Sequence, residues 1–350
     1  MALRVRDWLS SVHGILFRRP FVITRLRAPI AALALLLAAS FTAQSQTQPK
    51  SLALPRTPDG HPDLQGTWTN ATLTPLERRA EFVGKATLSD EEALAFEKRD
   101  HRLFEERPDL TPAALARVKE GSAVGAEASE AWEIGSALAR VNGVKRTSLI
   151  VDPPDGKIPG LTPEAKQRTA AGSKNRERLA SVKALDLRER CLSYTPVPIV
   201  PQLYNGNYQI VQTSGYVMIL SEMIHEARII RMNASHAPPS LRQWLGDSVG
   251  HWEGDTLVID TTNFNSQGAF RGSTENLHVV ERLSRSDADT LLYRATIDDP
   301  ATFTNPWTIE YPLVAATGRI FEYACHEGNA WVESALSAAR KAEAAAGPNR

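Results

Sequence analysis

Between residues 204 and 326 the chain repeats one pattern: short apolar runs, each broken by turn-forming residues. The runs fall at 208–213, 216–222, 228–232, 256–261, 278–283, 290–297, 307–313 and 319–325. Their lengths and turn boundaries predict β-strands. Alternation with period two is cleanest in two of them. Leu291, Tyr293, Ala295 and Ile297 share one face of their strand, and Trp307, Ile309, Tyr311 and Leu313 share one face of theirs. Glu253-Gly254-Asp255 predicts a hairpin turn between Trp252 and Leu257, and Ser286-Asp287-Ala288-Asp289 a turn between two further strands. Strands joined by short turns pair with their sequence neighbours. The region therefore predicts a mainly β protein. It is either an antiparallel meander barrel, since closure removes exposed edges, or a two-sheet sandwich.

Residues 46–190 have a different character. Pro58-Asp59-Gly60 predicts a tight turn, because proline presets φ and glycine accepts positive φ. Residues 63–68 follow as a strand entry. Ser89-Asp90-Glu91-Glu92 is a capping box, predicting a helix to about Phe104 with Ala93, Leu94, Phe96 and Leu103 on its apolar side. Thr111-Pro112 predicts a second helix, with proline where its missing N–H is not needed. Residues 123–140 predict a third. Pro153-Pro154-Asp155-Gly156 makes another turn, and Thr162-Pro163-Glu164 opens a polar helix to about Leu187. The expected organisation is an export signal over 1–45, an extended strand plus charged helical segment over 46–190, an antiparallel β domain over 191–329, and a tail over 330–350.

The first 45 residues read as a cleaved leader. Six arginines and one acid precede the apolar run 29–39, and Ala43-Gln44-Ser45 is a small-x-small cleavage signal before Gln46. Arg18-Arg19-Pro20-Phe21-Val22 resembles a twin-arginine export signal. The apolar run is too short to span a membrane, and no membrane-length run follows it. The expected location is periplasmic or secreted. The mature chain carries 34 basic against 39 acidic residues without a basic block, which argues against nucleic acid as a partner. Cys191 and Cys325 are the only thiols, and in an exported protein they most simply form one disulfide; two buried free thiols are the alternative.

Gly66-Thr67-Trp68 and Gly250-His251-Trp252 are similar to the Gly-x-Trp that opens lipocalin-type barrels, which implies a lipocalin-like form for the barrel. Longer strings resemble a family of uncharacterised secreted bacterial proteins. They are Pro58-Asp59-Gly60 with Pro62-Asp63-Leu64-Gln65-Gly66-Thr67-Trp68, Arg242-Gln243-Trp244-Leu245-Gly246-Asp247-Ser248, residues 250–258, and Tyr323-Ala324-Cys325-His326-Glu327-Gly328-Asn329. The resemblance spans most of the mature chain. It implies secretion and one shared fold, and it brings no activity or catalytic residue with it.

Five of the eight histidines lie in the β region. His225 sits among Glu222, Glu226 and Arg228, a set able to hold a substrate carboxylate beside a general base; a surface bend with paired charges is the alternative. His251 stands next to Trp252, an imidazole beside an aromatic wall. His278 and Arg282 share one strand face with Glu281 on the other. A mid-strand charge lies either on a solvated face or inside a polar cavity. The loop 271–276 is polar and contains Gly272, as a cavity mouth would. No His-x-His or His-x₃-His spacing supports a metal, no Gly-x-Ser-x-Gly supports a serine hydrolase, and no phosphate loop or dinucleotide fingerprint occurs, so neither metal nor cofactor is expected.

Three readings follow. The first is a cofactor-independent enzyme acting on an apolar small molecule in a barrel cavity. His225, His251 or His278 would do its acid–base chemistry, Glu222 or Glu281 would orient them, and Arg228 or Arg282 would bind an anion. The second is a non-catalytic carrier barrel lined by Trp68, Trp252, Tyr293 and Trp307. The third is an envelope interaction protein working through its helical segment. The enzyme requires at least two of these histidines to meet carboxylates inside one cavity; the carrier requires an apolar cavity with isolated polar groups.

Overall fold

The computed structural model describes residues 54–105, 135–194, 196–202, 204–267 and 270–346. The expected leader, the helix expected from Thr111 and the start of the helix expected over 123–140 lie outside the described residues. The strands are β1 Gly66–Thr69, β2 Thr87–Leu88, β3 Arg140–Val141, β4 Val144–Arg146, β5 Ile150–Asp152, β6 Asn207–Gln212, β7 Tyr216–Ser221, β8 Ala227–Met232, β9 Asp247–Glu253, β10 Thr256–Thr262, β11 His278–Arg285, β12 Thr290–Asp298 and β13 Trp307–Ala315. The helices are α1 Asp90–Glu105, α2 Pro163–Arg178 and α3 Trp331–Ala346.

β1 and β6 to β13 close into a nine-strand barrel. Closure is made where Trp68 stands opposite Ala315 and Thr69 opposite Val314. The alternation in the sequence becomes inside and outside: Leu291, Tyr293, Ala295 and Ile297 on β12 and Trp307, Ile309, Tyr311 and Leu313 on β13 are fully buried. The antiparallel meander needs one correction. β8 and β9 run parallel, with Ile230 opposite Ser248, so the barrel is mixed. A parallel pair cannot be joined by a tight turn, and residues 233–246 make the crossover. The strand expected at 319–325 does not form. Both edges of β13 are already occupied, one by β12 and the other by β1 and β5. The β unit also extends beyond 191–329, since its closing strand comes from residues 66–69.

Large side chains occupy the lumen. Trp68, Tyr208, Tyr293, Tyr311 and Trp307 are buried together with Leu64, Ile210, Ile230, Ile259 and Val279. A strap over residues 196–202 dips into it: Val197 and Ile199 belong to the same core. The Ile199 N–H donates to the Tyr293 hydroxyl at 2.8 Å, and the Tyr311 hydroxyl donates to the Ile199 carbonyl at 3.0 Å. A barrel of about eight strands is just wide enough for side chains to fill. Here a ninth strand adds width, and large aromatics and the strap occupy it.

The insertion between β1 and β6 carries α1, α2 and a small sheet ordered β2-β4-β3. The capping box is present: the Glu92 N–H donates to Ser89 Oγ at 3.2 Å and the Ser89 N–H to Glu92 Oε2 at 3.0 Å. Ala93 and Phe96 pack with Leu73, Leu88 and Leu138 in a second small core, while Leu94 faces solvent. The described end of the helix expected over 123–140 is irregular from 135 to 139 and enters β3 at Arg140. α2 stops at Arg178, nine residues early. Leu179 takes a left-handed φ of 43°, and Leu185 and Leu187 are buried at alternate positions of the chain beyond it. α3 is tied back by Arg340, which donates to the carbonyls of Leu179 and Ala180.

Cys191 and Cys325 form the disulfide, with Cα atoms 5.7 Å apart and a sequence separation of 134. Cys325 lies in a turn rather than a final strand. Replacing both cysteines by serine is expected to lower the unfolding free energy by about 4–5 kcal/mol, the chain-entropy limit for a loop of this length. Urea denaturation of the oxidised protein and the variant reads this directly; a difference below about 1 kcal/mol would show the crosslink to be incidental.

Candidate functional site

The expected site residues fall in two places, the buried interior and the outer surface, and a cleft that holds none of them makes a third. Four of them are in the barrel core. Glu281 is fully buried on β11 and faces Arg228 from β8. The guanidinium grips the carboxylate with both terminal nitrogens, Nη2 to Oε1 at 3.0 Å and Nη1 to Oε2. The Tyr293 hydroxyl donates to the same Oε1 at 2.8 Å. Burial works against the charge on Arg228, but the adjacent Glu281 outweighs it and holds the guanidinium above its ordinary value. Burial and the Glu281 charge together push the Tyr293 phenol well up, and burial does the same to Tyr311. Trp68 is buried too, its indole N–H donating to the Leu64 carbonyl at 3.0 Å. Arg228, Tyr293 and Trp68, expected to bind ligand, are therefore satisfied core groups. Glu222 is likewise buried, its carboxylate accepting from Asn207 Nδ2 at 2.7 Å and from the Phe321 N–H at 3.0 Å.

The histidines lie on separate outer surfaces. His225 is exposed at the end of the turn Met223–His225. His251 is exposed on β9, with Nε2 3.2 Å from Glu253 Oε1, and Arg282 donates to the other oxygen of Glu253 at 2.8 Å. Trp252 packs on the core's edge and stacks on His61 with ring centroids 4.6 Å apart. The requirement for two of the expected histidines inside one cavity is not met.

On the outer wall His278 takes part in a chain that includes a residue the sequence did not single out. His278 Nε2 lies 3.1 Å from both oxygens of Asp260, and His236, from the crossover, places Nε2 3.0 Å from Asp260 Oδ1. His236 Nδ1 lies 3.0 Å from Asp247 Oδ2, which also accepts from the Ala237 N–H at 2.8 Å, and Arg231 donates to both Asp247 oxygens. Burial raises the Asp247 carboxyl, but Ala237, His236 and Arg231 overcome it and hold it low. The hydrogen bond to His278 holds Asp260 low, and that same bond holds His278 high. Among the described residues no group of three His, Cys, Asp or Glu is placed to hold a metal ion.

The third place is a cleft of about 950 Å³ at the barrel's end. Its floor is the continuation of the strap, Val200 to Gln202; its walls are α2 at Gly172, residues 183–194 and the loop at Phe270–Gly272. Leu185, Leu187 and Phe270 present buried apolar surface, and Lys183, Arg188, Arg190 and Arg271 bring four cations against the single carboxylate of Asp186. Glu226 braces the rim by accepting from the Tyr194 N–H at 2.9 Å. The polar loop 271–276 was expected at a cavity mouth, and Arg271 and Gly272 do line this one. The other lining residues were hidden because residues 183–187 read as the end of a helix. A second cleft of about 670 Å³ lies against the outer face of β12 and β13, and neither cleft includes His236, Asp260 or His278.

Comparison with protein-family models, curated proteins and solved structures finds no match to this chain. No helix among the described residues is long and apolar enough to cross a membrane.

Two outcomes follow from these geometries. Arg228→Met leaves the Glu281 carboxylate buried and unpaired, at an expected cost of about 3–5 kcal/mol; adding Glu281→Leu is expected to recover most of it. Chemical denaturation of the single and double variants decides, and a double variant no better than the single would refute this account of the core. The His278–Asp260 pair has its own pH window. Its contribution is complete below the ordinary histidine value of 6.5 and fades as pH rises through the raised His278 value. It is complete above the ordinary carboxyl value of 3.8 and fades as pH falls through the lowered Asp260 value. Both groups are partly exposed, so His278→Asn is expected to cost on the order of 0.5 kcal/mol more near pH 5 than near pH 9. Equal costs at the two pH values would remove the pair from the stability of the fold.

Proposed function

We propose that this protein is a non-catalytic binding barrel of the cell exterior that takes a small molecule in the cleft at the barrel's end. The supporting observation is the cleft itself. Its volume is in the range of small-molecule sites, about 300–1,000 Å³, and it combines an apolar floor with a few convergent polar groups, as such sites do. With the lumen occupied, the two outer clefts remain, and this one is the larger and gathers more charged groups. The leader-like N-terminus and the disulfide support export.

A second reading keeps acid–base chemistry but moves it to the outer wall. The chain Asp247–His236–Asp260–His278 supports it, because a carboxylate-oriented imidazole is the working part of many general bases. This arrangement has no cavity of the two described above beside it, so the binding reading stands first.

Gly172 offers the test. It sits on α2 at the cleft wall, and a Cβ there would meet nothing within 4 Å. Gly172→Trp is therefore expected to fill part of the cleft without strain and to raise helix propensity slightly. In a fragment screen by protein NMR, binders of the oxidised protein should perturb Leu185, Tyr194 and Phe270, and Gly172→Trp should weaken them by about tenfold. Binders that map to the outer histidines, or that ignore Gly172→Trp, would transfer the function to the second reading.

A further inference from the structure

We infer that the cleft selects amphipathic anions, molecules joining an apolar body to a carboxylate, sulfonate or phosphate, with Lys183, Arg190 and Arg271 taking the charge. The inference rests on the cleft being the binding site and goes on to name what enters it.

The local charge is opposite to that of the chain. Beyond the leader acids outnumber bases by 39 to 34, yet the residues lining the cleft carry four cations against one carboxylate, with Glu226 bracing the rim and Glu77 near Arg271 outside the lining. Arg188 is the cation already engaged: it donates to Asp186 Oδ2 at 3.3 Å and lies over the Tyr194 ring at 5.3 Å. The other three make no salt bridge among the described residues. Arg190 is oriented but not neutralised, its Nε donating to the Asp186 carbonyl at 3.4 Å. Lys183 is exposed at the rim.

Arg271 lines the cleft from the loop that follows β10. Its backbone holds a left-handed φ of 52°, a conformation that residues with a Cβ rarely adopt. Its guanidinium lies 5.6 Å from the Phe270 ring centroid. Although the side chain is exposed overall, burial around the guanidinium pulls it below the ordinary arginine value, and Glu77 only partly offsets this. Like charges confined in one concave site repel one another, and an anion placed between them relieves the repulsion. A guanidinium can also grip a carboxylate, sulfonate or phosphate through two parallel hydrogen bonds.

The apolar half of the ligand follows from the floor. Leu185, Leu187 and Phe270 are buried residues bordering the cleft, and Val200 and Pro201 are half-buried beside them. A small inorganic anion would use the cations and leave this surface wet. A neutral hydrocarbon would cover it and leave the cations unpaired. A molecule with both parts satisfies both surfaces.

A matched pair of probes separates charge from shape. 8-Anilinonaphthalene-1-sulfonate and N-phenyl-1-naphthylamine share one aromatic body, and only the first carries a sulfonate. Fluorescence titration of the oxidised full chain is expected to show the sulfonate probe binding about tenfold more tightly than the neutral one at low salt. That preference should shrink as sodium chloride rises from about 20 mM to about 500 mM. It should fall to within about twofold in the Lys183→Gln, Arg190→Gln, Arg271→Gln triple variant. Lys183→Gln alone, at an exposed side chain that folding does not need, should reduce it by about two- to threefold. Gly172→Trp should weaken both probes equally. Equal affinity of the two probes for the wild-type chain, with both lost in Gly172→Trp, would overturn anion selection and leave the cleft as the site. A preference that survives the triple variant would overturn the assignment of these three cations. Indifference of both probes to Gly172→Trp would overturn the cleft reading itself.

Discussion

The contact between Arg228 and Glu281 governs how this barrel can be built and used. The two residues sit on β8 and β11, with β9 and β10 between them in the ring. Their side chains meet only when the sheet has curled far enough to bring those strands face to face across the lumen. Once there, a charged pair out of water tolerates no loose end. Tyr293 completes the carboxylate and in turn receives the Ile199 N–H, so the polar network passes from the ion pair to the strap. Such a pair is costly to desolvate and costlier still to break. Its geometry therefore favours one register of the closed barrel over its neighbours. The same network fills the space where a lipocalin-like carrier would hold its cargo.

Much of the fold was readable in the chain. Alternation at 291–297 and 307–313 separated inside from outside correctly, because in a filled barrel every inward position must be apolar or paired. The hairpins at Gly254 and at residues 286–289 were legible because turn chemistry is local. The disulfide followed from counting thiols in a chain whose first residues read as a leader. What could not be read were relations between distant segments. Gly66–Thr69 is too short to declare itself the closing strand, and no local signal shows that β8 will lie parallel to β9. The run at 319–325 looks as strand-like as its neighbours, yet no free edge remained for it.

The site residues show the same division. Charge in mid-strand at Glu281 and Arg228 was visible, but whether it faced water or the core depended on which strand curled opposite which. Histidines near acids in sequence, at 225 and 251, proved to be surface groups. The imidazole that bridges two carboxylates, His236, has no acid beside it in the chain and meets Asp247 and Asp260 only through the crossover. The cleft was obscured differently. Leu185 and Leu187 look like the end of a polar helix until Leu179 turns the backbone left-handed and lays the next residues out as a wall.

Cys191 follows Arg190 directly, so the covalent tie to Cys325 anchors the very wall that carries the cleft's cations. Asn329 adds to that anchor, donating to the Glu189 carbonyl at 3.1 Å. The C-terminal segment thus acts as a buttress for a wall with little regular structure of its own. Under reducing conditions the buttress would hang on by weak polar contacts, and the wall would lose its fixed shape before the barrel lost any strand. On the proposed binding reading, capture of a guest would then depend on closing this one crosslink.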